Sequence, residues 1–150
     1  MADIRVQLEV EDWVRREWMC RRFGQRFSRE RVRLSSGGFF DADAVSEDMK
    51  IVATISTSGA RTSAGKNAIG KMLKIRSDMY FLLLAETEHR LVILTESDMY
   101  AQCQKEVAGG RVPKSIEFIL ADIPDDLRTR LVTSRRAASA EITVIGKPVL

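Results

Sequence analysis

Apolar positions recur at helical spacing from the N-terminus, where Val6, Val10, Val14 and Trp18 stand four apart, with Trp13, Phe23 and Phe27 continuing the same side. This pattern predicts an amphipathic helix over residues 4 to about 28, with Gly24 costing its far end about 1 kcal/mol relative to alanine. The period then changes. Arg29–Leu34 alternates charged and apolar residues and predicts a strand, ended by the turn Ser35-Ser36-Gly37-Gly38. Phe39–Ser46 and Ile51–Ser58 predict two more strands. Their link, Glu47–Lys50, is too short for a crossover helix, so they are expected to pair as an antiparallel hairpin.

A second helix is expected from about Ala64 to Ser77, burying Ala68, Met72, Ile75 and Met79 with Ile69 and Leu73 beside them. The unbroken apolar run Tyr80–Ala85 predicts a central strand covered on both faces. Leu91–Thr95 predicts another strand. Ser97 suits the N-cap of a helix to about Val107, ended by Gly109-Gly110. Ile116–Leu120 predicts a short strand, and Pro124 with Asp125 and Asp126 opens a C-terminal helix. Ile142–Ile145 is expected either to add a strand or to contact another chain. Helix, three strands, helix, strand describes a single α/β domain, a sandwich built on a mixed sheet.

Composition narrows the classes. The 150 residues carry 24 Lys plus Arg against 21 Asp plus Glu, and 45% are hydrophobic, which excludes a disordered chain. With 9 Gly, 3 Pro and 2 Cys, neither a collagen-like nor a disulfide-scaffold reading fits. No apolar run approaches the roughly 20 residues of a membrane span. Charges at Asp3 and Arg5 and the two unaccompanied thiols, Cys20 and Cys103, lead to the expectation of a cytoplasmic protein. One histidine (His89, in a charged turn) and two distant cysteines exclude most zinc sites, so any metal is expected to be a hard, carboxylate-bound ion.

The segment richest in candidate chemistry is Gly37-Gly38-Phe39-Phe40-Asp41-Ala42-Asp43-Ala44-Val45, followed by the strand Lys50–Ser58. Two apart on a regular strand, Asp41 and Asp43 leave one face about 6–7 Å apart at Cα, which suits Mg²⁺. Over roughly residues 5 to 95 the chain resembles the PD-(D/E)XK, or restriction-endonuclease-like, superfamily. There a glycine-led hairpin carries an aspartate, the next strand carries acid–spacer–lysine, and a helix and strand follow. The resemblance implies a restriction-endonuclease-like sandwich with an αβββαβ core, Asp43 as metal-binding aspartate with Asp41 beside it, and Mg²⁺ as cofactor. Where the family has acid–spacer–lysine, this chain has Thr54-Ile55-Ser56. Hydroxyls supply neither an anionic metal ligand nor a cation beside the attacking water. The resemblance therefore implies a catalytically degenerate nuclease fold acting as a nucleic-acid-associated or regulatory binding module. The alternative is an active Mg²⁺-dependent nuclease with a migrated lysine, Lys66 or Lys71, and a helix carboxylate such as Glu17 facing the sheet.

Two stretches are basic. Arg15–Arg33 holds eight arginines against Glu17 and Glu30, and Gly59–Ser77 holds Arg61, Lys66, Lys71, Lys74 and Arg76 without an acid. Arg61, Lys66, Lys71 and Lys74 are the candidate phosphate contacts. A near match to a P-loop, Gly59–Asn67, has five residues rather than four between its glycines and Asn67 where a hydroxyl would hold Mg²⁺, so nucleotide binding is not expected. A structural homodimer built through the aromatic first helix or the C-terminal tail is the remaining alternative.

Overall fold

Residues 4–61 and 65–145 are described by a computed structural model, with side chains through residue 137. The first helix, α1 (Arg5–Trp13), passes into a π-helical turn (Val14–Trp18) and then α2 (Met19–Phe23). It stops short of the expected residue 28 because Gly24 adopts the left-handed conformation (φ 68°), and its N–H bonds back to the Cys20 carbonyl. Phe27 therefore opens β1 (Phe27–Arg33) instead of extending the helix. β2 (Phe39–Ser46) and β3 (Ile51–Ser56) form the antiparallel hairpin. In its turn Met49 takes φ 64°, and the Ser46 hydroxyl both donates to Asp48 and accepts the Ile51 N–H.

The expected strand at Tyr80–Ala85 is not a strand. The helix α3 runs from Ile69 to Leu84, and Met72, Ile75, Met79 and Leu82 form one continuous buried stripe. A short apolar run has no period that separates helix from strand, and here the stripe of the preceding turns continues through it. Tyr80 and Leu83 consequently lie exposed, as do Ile69 and Leu73. The strand after the helix is β4 (His89–Leu94), followed by α4 (Ser97–Ala108), β5 (Ile116–Leu120) and α5 (Asp125–Ile145). Glu96, not Ser97, holds the N-cap position of α4, and Ser97 is already helical. The backbone of Ile142–Ile145 is helical, so it adds no strand.

The sheet has the order β1-β2-β3-β4-β5, antiparallel on the β1–β2–β3 side and parallel from β3 to β5. The chain is thus α/β, with a five-stranded mixed sheet flanked by helices. On one face Val52, Val92 and Leu94 pack under α3 and α4 through Met72, Ile75, Leu82 and Met99. On the other, Ile51, Ala53, Ile55 and Ile93 meet Val10 and Val14 of the first helix and Leu127 and Leu131 of α5. Trp13, Trp18 and Phe23, partly buried, pack against this second cluster. At the ends of β3 and β4, buried Glu96 receives Arg128 (3.2 Å) and Arg135 (2.8 Å) from α5, and Arg135 also donates to the Thr57 carbonyl. Among the described residues no helix is long and apolar enough to cross a membrane.

Candidate functional site

Asp43 sits at an irregularity in β2. Ser28 pairs with Val45 and Glu30 with Ala42, so two steps along β1 face three along β2. The extra residue reverses the alternation: Ala42 and Val45 pack toward α3, while Ala44 packs toward α1. Such bulges re-aim side chains. The regular spacing that would have put Asp41 and Asp43 together is therefore broken between them. Asp41 lies directly across from Arg31 and is 70% exposed, and the Arg31 Nε–H donates to it at 2.9 Å. That bond holds the Asp41 carboxyl below its ordinary range. Asp41 does not join Asp43 as a metal ligand.

The β2–β3 pairing ends at Ala44–Ala53. Beyond it the strands part, and the Asp43 carboxylate takes over as acceptor for the Ile55 N–H at 2.8 Å. Behind it, Arg15 donates to the Asp43 carbonyl at 3.1 Å from a side chain only 9% exposed. Arg15 reaches this position from the π-helical turn, a local widening that rotates the residues after it.

The parting strands open a cleft of about 930 Å³. Glu11 of α1, Arg29 of β1, Asp43, Ser56 and Ser58 line it, and α3 contributes Lys71, Lys74 and Asp78. Lys74 pairs with Asp78 at 2.5 Å. Burial raises the Asp43 pKa, and Asp78 raises it further, against the Ile55 N–H, Lys74 and Arg29. Glu11 is likewise raised, first by burial and then by Asp43. The carboxylates are recessed, whereas Arg29, Lys71 and Lys74 stand exposed at the rim.

Thr54 is 3% exposed and lies on the α3 side of β3, and its hydroxyl has no hydrogen-bond partner among the described residues. Ser56 lines the cleft, with its hydroxyl near the Ser58 N–H at 3.4 Å. Of the expected phosphate contacts, Lys71 and Lys74 border the Asp43 cleft. Lys66 does not, and Arg61 lies in a separate groove. Thr62, Ser63 and Ala64 of the P-loop-like segment lie outside the described residues. Glu17 is exposed and pairs with Arg21, so the carboxylate that the first helix brings to the cleft is Glu11. Its sequence signal was its place in the turn before Val14. Part of the arginine-rich stretch is charge-paired: Arg15 and Arg16 with Asp12, Arg21 with Glu17 and Arg31 with Asp41, while Arg22 lies over the Trp18 ring.

A resident Mg²⁺ does not fit this donor set. Asp41 is spent on Arg31 and Asp78 on Lys74, and one Asp43 oxygen accepts the Ile55 N–H. Among the described residues no three carboxylate, histidine or cysteine groups converge on one point that could hold a metal ion. No family model matches the sequence, and no curated protein or solved structure matches it.

The pKa shift of Asp43 makes a prediction. The folded chain holds this proton more tightly than the unfolded chain, whose value is near 3.8. Stability from this group therefore falls as pH rises from that value through the raised folded one. Asp43→Asn keeps an acceptor for Ile55 and removes the buried charge. The variant is expected to melt above the unaltered protein at about pH 7, with the difference vanishing near pH 3. Thermal melts across that range test this, and a less stable variant at neutral pH would contradict it.

Proposed function

We propose that the chain is a catalytically degenerate, restriction-endonuclease-like protein whose cleft binds the phosphate backbone of nucleic acid without cutting it. The fold reading is supported by the element order: a glycine-led hairpin bearing Asp43, then α3, then β4 beside β3. The observation that carries the functional reading is the Asp43 cleft itself, in which Lys71, Lys74 and Arg29 ring recessed carboxylates. Exposed cations on a concave wall contact phosphates and release counterions on doing so.

Cleavage needs more. An ion must be held, a water activated and the developing charge offset. Thr54 and Ser56 stand where the family has its acid and lysine, and Lys74, which with Arg29 is one of the cations whose field reaches Asp43, is held by Asp78. Labelled DNA and RNA, single- and double-stranded, are therefore expected to bind at low salt and to remain intact in Mg²⁺ or Mn²⁺. Asp43→Asn should bind somewhat tighter, because a charge that repels phosphate is gone. Cutting that disappears in Asp43→Asn would overturn the degenerate reading and indicate a migrated-lysine nuclease using Lys71 or Lys74. Absence of binding at low salt would overturn the nucleic-acid reading altogether.

A further inference from the structure

A second concavity, about 450 Å³, lies between α3 and α4. Its basic side chains are Arg61, Arg76 and Lys105, and Ile69, Met72 and Ala101 form an apolar floor. Asn67, Ala68 and Ile69 line both this groove and the Asp43 cleft, so the two hollows meet across the start of α3. Among the described residues one acid, the exposed Asp98, lines the groove. Asp98 accepts the Ala60 N–H at 3.0 Å and the Met99 N–H at 2.7 Å. Behind the lining, Glu106, its side chain 8% exposed, pairs with Arg76 (3.3 Å) and Arg111 (3.7 Å), so Arg76 is already partnered while Arg61 and Lys105 carry the groove's remaining positive charge. The lining thus carries Arg61, Arg76 and Lys105 against Asp98, with Ile69 and Met72 as its apolar part.

The geometry points to this groove as a second subsite for one polynucleotide strand, receiving the nucleotides that flank those in the Asp43 cleft. The inference rests on the nucleic-acid reading of that cleft and adds the form of the ligand. Phosphates meet Arg61 and Lys105 while a base lies over Ile69 and Met72. A path that turns over the end of a helix selects a single strand. Duplex DNA, with a persistence length of about 50 nm, resists the bending needed to seat in two adjacent hollows, whereas a single strand does not.

Fluorescence anisotropy with thymidine oligonucleotides of about 4 and about 16 nucleotides tests this, with a duplex of the longer length alongside. Counted per binding register, since a longer strand offers a single site more starting positions, the long single strand is expected to bind about tenfold tighter than the short one, equivalent to ~1.4 kcal/mol of added contact. Arg61→Ala with Lys105→Ala should remove that advantage. It should also lower the long strand's salt slope by about 1.4, at about 0.7 per phosphate contact, leaving the short strand unchanged. Gln102→Glu, which adds a charge within the groove and deletes nothing, should act in the same direction. Equal affinity for both lengths, duplex binding as tight as single strand, or variants that weaken both lengths alike would overturn the second subsite while leaving the first standing. Absence of binding at every length would overturn both.

Discussion

Lys71→Ala with Lys74→Ala is expected to lower nucleic-acid affinity at about 50 mM salt by more than tenfold and to reduce the salt slope by roughly 1.4–1.8 log units. If Lys71 and Lys74 contact phosphates as proposed, each one lost from the rim of the Asp43 cleft removes one contact and the counterion release that goes with it. Lys74 has a second effect. It neutralises Asp78, whose side chain is 13% exposed, and without it the cleft gains an unbalanced carboxylate. The loss from Lys74→Ala should therefore exceed that from Lys71→Ala, and Asp78→Asn in the same background should return part of it. Arg16→Ala and Arg21→Ala, both on exposed ion pairs of the first helical segment, are the controls and should leave binding unchanged. Equal losses from the controls would mean that binding follows net charge rather than the cleft.

Thr54→Val is expected to raise stability by about 1–3 kcal/mol, measured as a shift in the urea midpoint at constant slope. A buried hydroxyl without a partner carries its desolvation cost with nothing to offset it, and the methyl of valine fills nearly the same space. Thr54→Glu reverses the sign. A carboxylate at a 3% exposed position, on the layer beneath α3, should cost about 3 kcal/mol or more. An acid at this position thus conflicts with the packing around it, so Thr54 serves the core. A destabilised Thr54→Val protein would show that the hydroxyl is bonded in solution.

The hairpin and the flanking order of elements were legible because their signals are local. Alternation marks Arg29–Leu34, and a four-residue link between Ser46 and Ile51 permits only antiparallel pairing. Tyr80–Ala85 misled because an all-apolar run carries no period, and its helical phase is set by Met72, Ile75 and Met79 in the turns before it. The site was half legible. Asp43 and the lysines of α3 could be named from motif and charge, but the bulge that separates Asp41 from Asp43 depends on β1 pairing with β2 in a shifted register. Glu11 and Arg15 reach Asp43 only through the packing of the first helix on the sheet, and the π-helical turn that aims Arg15 has no sequence period of its own. The basic run Arg15–Arg33 looked like a footprint because its neutralising acids include Asp12 just before it and Asp41 across the strand pair.

Amide hydrogen exchange with and without a saturating single-stranded oligonucleotide tests the central claim most directly, since it reports where the ligand sits. Protection is expected at Ile55–Ser58 and over Asn67–Lys74, the two walls of the Asp43 cleft, with β5 and α5 unchanged. Binding that leaves both walls unprotected, or protection confined to β5 and α5, would contradict it.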